Sequence, residues 1–206
     1  MVSLLACWCA GCLSSDAPAA KAWTLDAAPS APAAGVLEGA GKAAFTTTRV
    51  GAVSVDAPYD KTPFVVRRAD GSVAFDHYNV FAASPAALLR APVRSRIGAD
   101  GRFGSVVSPS SAAWADAQVE VQVTDLSLDC RTAGRRRARA ALALDVVKAG
   151  RGPRTVALQG AGAGEADAAE GDYARAFSSA VDAALAEALK SLKAPVGEAG
   201  TERKQP

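Results

Sequence analysis

The chain has 206 residues, a formal charge of +2 and a single histidine. That length suits one domain once the low-complexity ends are set aside, and a near-neutral balance with basic residues spread along the chain argues against a nucleic-acid binder. Half of the residues are hydrophobic, but many are alanine, so a core must come from the larger Val, Leu, Phe and Tyr positions after about Thr46.

Of the four cysteines, Cys7, Cys9 and Cys12 crowd the first dozen residues while Cys130 stands alone. This layout suits no disulfide framework, and with the only histidine, His77, far off, it suits no zinc site. No cofactor is expected. Residues 1–12 read MVSLLACWCAGC, an uncharged apolar stretch that ends in small residues and a cysteine and is followed at once by Leu13-Ser14-Ser15-Asp16. A lipoprotein signal ends this way, since the peptidase needs an apolar segment in the bilayer and small residues before the cut. Ala10-Gly11 make Cys12 the lipid-attachment candidate, and Ala6 after Leu4-Leu5 makes Cys7 its alternative. Acyl chains on the new N-terminal residue would anchor the protein at ~0.8 kcal/mol per buried methylene. The stretch lacks Lys or Arg and is short for such a signal, which places the expected true start upstream. No later segment approaches the roughly 20 apolar residues that span a bilayer.

Residues 13–21, rich in Ser, Ala and Pro, read as a flexible tether to a single domain over 22–194, with a disordered tail over 195–206. Ala22 to Leu25 is a short first strand, and Pro29 to Lys42 a loop. Thr46 to Val55 alternates as a strand with Val50, Ala52 and Ser54 opposite to Gly51, Val53 and Val55. Phe64 to Arg68 and Ser72 to Phe75, joined by Ala69-Asp70-Gly71, form a hairpin. Ser84-Pro85 opens a helix over Ala86 to Ile97, with Pro92 expected to kink it. Phe103 to Val107 returns as a strand.

Val119, Val121 and Val123 face inward, whereas Leu126 and Leu128 have the other parity, so a bulge is expected near Asp125. The antiparallel partner is Ala138 to Val147, across a tip at Asp129 to Arg137. A last strand, Arg154 to Gln159, leads into a flexible Gly160 to Gly171. Tyr173, Phe177, Val181, Leu185 and Leu189, joined by Ala180, Ala184, Ala188 and Leu192, then line one face of a helix. These pieces predict an α+β fold: an antiparallel (mixed) β-sheet with two helices packed on one face.

No catalytic constellation emerges. Gly39-Ala40-Gly41-Lys42 fails as a phosphate loop because Val36 stands where the earlier glycine is required and Ala43 replaces the magnesium-binding hydroxyl. Gly160 to Gly164 reads as a loop. Asp76 and His77 are chain neighbours, which seldom face each other as acid and base, and Cys130 has no evident base. The one basic cluster is Arg131, Arg135, Arg136, Arg137 and Arg139 on the hairpin tip, a candidate surface for lipid phosphates or an acidic partner.

In its order of features from Cys12 to Lys193 the chain resembles the ABC-type transport auxiliary lipoproteins, partners of MCE-protein (paraquat-inducible-type) intermembrane transport systems. The resemblance rests on the acceptor cysteine, Ala22-Trp23-Thr24-Leu25-Asp26, Arg49-Val50-Gly51 ahead of Pro58-Tyr59, and Phe64 to Arg68. It continues with Tyr78 to Pro85 before the first helix and Val119 to Leu128 before the Tyr173 to Leu192 helix. Phe81 replaces the usual Trp, and Pro92 interrupts the first helix. The resemblance implies a non-catalytic, periplasm-facing accessory of an MCE-domain protein and its ABC transporter permease complex, with self-association left open. Leu13 after Cys12, in place of Asp, implies the outer membrane. A lipoprotein regulator of a periplasmic cell-wall synthase could use the same anchor, tether and domain.

Overall fold

The computed structural model describes residues 19–25, 44–149 and 155–194. Cys7 and Cys12, the tether up to residue 18, the loop over 29–42 and the tail over 195–206 lie outside these residues. Within them, eight strands form one mixed sheet: β1 (Lys21–Trp23), β2 (Phe45–Val55), β3 (Pro63–Arg67), β4 (Val73–Phe81), β5 (Phe103–Val107), β6 (Ala117–Asp129), β7 (Arg137–Lys148) and β8 (Thr155–Asp167). Two helices, α1 (Pro85–Gly98) and α2 (Tyr173–Ser191), cover one face.

β6 is the hub. Its first half pairs in parallel with β2, its last three residues pair in parallel with β3, and its other edge runs antiparallel to β7. The expected bulge lies between Val123 and Asp125, and on either side of it Val119, Val121, Val123, Leu126 and Leu128 are all buried. Arg67 of β3 locks the second register. Its Nε donates to Ser127 Oγ at 3.1 Å and its Nη2 to Asp125 at 3.0 Å, while Ser127 Oγ donates to Asp125 at 2.7 Å.

The Asp-Gly hairpin is present, with Gly71 at φ +82° and Asp70 accepting the Ser72 amide at 2.8 Å. Its second strand is longer than the alternation suggests and continues to Phe81. Asp76 supports the irregular middle by accepting the amides of Tyr78 and Asn79. In β2 strict alternation fails: Val50 and Val53 are both buried, because the register against β6 shifts between them. α1 begins at Pro85 as expected and is one helical segment through Pro92. Leu89, Val93 and Ile97 face the sheet.

The largest departure concerns residues 160–167. They are not a loop but the second half of β8, paired residue by residue with β7. A Cβ built on Gly160, Gly162 or Gly164 would lie 2.3, 2.2 and 2.2 Å from the carbonyl oxygens of Ala188, Ala184 and Ala180. Glycine at every second position of the strand therefore meets alanine at every fourth position of α2, and the helix lies directly on the strand backbone. The α2 stripe from Tyr173 to Leu189 is buried as predicted. Phe177 at its centre packs against Phe64 and Phe81 with ring centroids 4.9 and 5.2 Å apart. Tyr173 meets Trp23 of β1 at 5.5 Å.

The outer edge of β8 is engaged from the same side at Gln159 and Ala161. Gln159 exchanges backbone hydrogen bonds with Lys193 at 2.8 and 3.0 Å, and Ser191 Oγ bonds both the amide and the carbonyl of Ala161 at 2.9 and 2.8 Å.

Gly162→Ala is expected to lower the unfolding free energy by about 1–3 kcal/mol through overpacking against α2. Gly101→Ala, where a Cβ meets nothing within 4 Å, should change it by less than about 0.5 kcal/mol. Urea unfolding of the two variants measures the contrast.

Candidate functional site

The candidate surface is the end of the sheet formed by the β6–β7 tip. β6 leaves at Asp129, the chain turns through residues 130–136, and β7 starts at Arg137. The turn is tied down at both ends, by the Cys130 amide to the Arg67 carbonyl and the Ala168 amide to the Arg136 carbonyl, each 2.9 Å. Pairing then sets the side chains in rows. Arg137 stands across from Asp129 on one side and Asp167 on the other, and Arg139 across from Ser127 and Glu165.

The structure brings all five sequence-predicted arginines together and gives each a carboxylate. Arg131 grips Asp129 with Nε and Nη2, the shortest contact being 2.6 Å, and Arg139 reaches the same carboxylate at 3.2 Å. Arg137 spans Glu165 at 3.0 Å and Asp167 at 3.3 Å, and Arg135 also meets Asp167 at 3.3 Å. Arg136 donates to the Tyr173 hydroxyl at 2.6 Å and lies 3.4 Å from Glu170. Four acids thus face five arginines, and Asp129, Glu165 and four of the arginines, Arg131, Arg135, Arg137 and Arg139, line a shallow hollow of about 330 Å³.

The members of this network differ in strength. The Asp129 side chain is only 13 % exposed, and its hydrogen bonds from Arg131 hold its carboxyl well below the usual carboxylate range. Asp167 and Glu170 are 71 % and 84 % exposed, so their ion pairs are screened and weak. An acidic group arriving from outside can replace either of them on Arg135 or Arg136 without dismantling the Asp129 pair. Exchange of carboxylates is the chemistry this surface offers.

The acids were the part that sequence reasoning missed. Glu165 and Asp167 sit in the stretch expected to be a loop, and only the alternation of glycine with other residues hinted at a strand there. The remaining candidates do not join the tip in any catalytic arrangement. The Asp76 carboxylate is engaged by the Tyr78 and Asn79 amides and by Asn79 Nδ2 at 2.8 Å, and His77 is exposed. Burial pushes the Cys130 thiol up, away from the thiolate a nucleophile needs. Among the described residues no group of three or more His, Cys, Asp and Glu side chains is placed to hold a metal ion. No helix among them is long and apolar enough to cross a membrane.

Because the folded Asp129 carboxyl is depressed, its contribution to stability is complete above the unfolded value of ~3.9 and is lost as pH falls through the folded one. Asp129→Asn should cost about 1–3 kcal/mol at neutral pH, and its gap to wild type should narrow on acidification below pH ~4. Thermal unfolding across this range checks both the size and the direction.

No protein-family model matches the chain, and no curated protein matches it. Among solved structures it is similar to the protein XCC0632 from Xanthomonas campestris, of family DUF330, with 15 % identity and a TM-score of 0.53 over 67 % of this chain and 77 % of that one. An uncharacterized protein aligns over 71 % of this chain and 87 % of its own, with 14 % identity and a TM-score of 0.49. At such identities the first likeness shows a shared fold.

Proposed function

We propose that the protein is a membrane-anchored lipoprotein of the outer membrane, facing the periplasm, and a non-catalytic accessory of an ABC-type intermembrane transport system. Its partners are an MCE-domain protein and the transporter permease, and the cargo class is phospholipid or another apolar molecule. The observation that carries this reading is the thiol of Cys12, placed directly after Ala10-Gly11 at the end of an apolar stretch and directly before a polar Ser- and Pro-containing tether. The order of sequence features through Tyr173 to Leu192 supports the transport assignment.

Binding rather than chemistry carries the function in this reading. It is supported by the tip, where exposed, exchangeable ion pairs of Arg135 and Arg136 sit on a turn fixed by the sheet. Loops held by a rigid sheet are common binding elements. Leu13 in place of Asp after Cys12 supports sorting to the outer membrane.

Growth with a clickable fatty acid tests the anchor. Label and outer-membrane fractionation should persist in Cys7→Ala and be lost in Cys12→Ala; a wild-type protein expressed with its upstream codons that takes no label removes the lipoprotein reading. Capture by a purified MCE-domain protein from the same genome tests the partner. Replacing Arg131, Arg135 and Arg136 together by Gln should weaken it about tenfold or more, and unchanged capture would mean that the tip is not the docking surface.

A further inference from the structure

Every arginine of the β6–β7 tip touches a carboxylate, yet the acids are one short, and the contacts show where the missing one would stand. Arg131 lies 2.6 Å from Asp129, which Arg139 also reaches at 3.2 Å. Arg139 lies 3.2 Å from Glu165, and Arg137 lies 3.0 Å from the same side chain. Arg137 and Arg135 then share Asp167, both at 3.3 Å. Positive and negative groups therefore alternate along one series that runs from Arg131 to Arg135, with four cations and three anions.

The series bends back on itself. Its two ends, Arg131 and Arg135, belong to the same short turn, in which the Arg135 amide donates to the Thr132 carbonyl at 3.0 Å and Gly134 takes φ +71°. Both ends line the hollow of about 330 Å³, and so does Thr132. Among the described residues no carboxylate bridges Arg131 to Arg135. The ends are also the most open members, with side chains 49 % and 52 % exposed against 38 % for Arg137 and 31 % for Arg139. Each end holds its acid through Nε and Nη2, and Nη1 takes no part in that contact.

Charges on neighbouring elements do not fill the gap, because they cancel in pairs. Arg67 of β3 meets Asp125 at 3.0 Å, Arg136 faces Glu170 at 3.4 Å, and Arg175 of α2 meets Asp172 at 3.4 Å. One positive charge is left over at the hollow.

We propose that this hollow binds a phosphate group, which bridges Arg131 to Arg135 and completes the ring of alternating charges. Guanidinium forks match phosphate oxygens two at a time. A carboxylate has two oxygens in one plane, whereas a phosphate group spreads its oxygens tetrahedrally and can meet both forks and the Thr132 hydroxyl together. A lipid headgroup and a soluble phosphate share this chemistry. The proposal deepens the reading of the tip as a docking surface and rests on it for the choice of surface, but it needs neither the anchor nor the MCE-domain partner.

The purified full chain is titrated with inorganic phosphate at constant ionic strength, and the arginine Nε–Hε signals are followed by NMR. The Arg131 and Arg135 signals should shift saturably, and acetate at the same ionic strength should bind at least about tenfold more weakly. Arg135→Gln removes an exposed ion pair that contributes little to the fold, and it should weaken phosphate binding about tenfold or more. Arg90→Gln, at an exposed arginine of α1, should leave that binding unchanged. Displacement of the phosphate by phosphatidylglycerol vesicles assigns the site to a headgroup, and phosphate held in their presence assigns it to a soluble phosphate. Equal affinity for acetate, an equal loss in Arg90→Gln, or shifts that do not saturate overturn the proposal, and they do so whether or not MCE-domain capture succeeds.

Discussion

Gly160, Gly162 and Gly164 have no side chain to hold α2 away, so the helix carbonyls of Ala180, Ala184 and Ala188 come down onto the strand itself. α2 takes its position on the sheet from this approach. α2 is set along β8 and β7, which carries Phe177 to the cluster of Phe64 and Phe81 and Tyr173 to Trp23. A fully buried aromatic of this kind is worth roughly 1.5–3 kcal/mol in surface removed from water. The aromatic cluster joins β1, β3 and β4 to α2, so the two branches that diverge from β6 share one core.

The same helix-on-strand contact fixes the tip. β8 ends at Asp167 and α2 begins at Tyr173, so the carboxylates of Glu165 and Asp167 and the Tyr173 hydroxyl reach the arginines of the β6–β7 turn from the flank. Pairing on the other flank supplies Asp129. The sheet therefore has two electrically different ends. One is a dense lattice of compensated arginines, and the other presents the exposed indole of Trp114 on a loop that Arg49 holds by its carbonyls.

Much of this was legible in the chain because it follows local rules. The α2 stripe repeats at helical spacing, the Asp-Gly turn needs a positive φ at Gly71, and the parity change from Val123 to Leu126 requires a bulge. What escaped depends on partners distant in sequence. A run of glycines reads as a loop when judged by strand propensity, since its reason for being a strand is the helix that rests on it. The parity change in β2 between Val50 and Val53 arises from its register with β6, which the alternation of β2 alone does not record. The five arginines could be read as a cluster, but not as a paired one, because Glu165 and Asp167 reach them only through the β7–β8 ladder. The Trp114 loop gave no periodic signal at all; its order comes from Arg49, more than 60 residues earlier.

A strand built largely of glycine and alanine has little to discourage a second chain from adding alongside it, since neither bulk nor charge guards its backbone, and such margins are where sheets recruit strangers and stack. Here Ser191 and Lys193 bond into that margin at Ala161 and Gln159. The residues that end the helix thus serve as an internal plug, which occupies the margin of β8 where its glycine-alanine stretch begins.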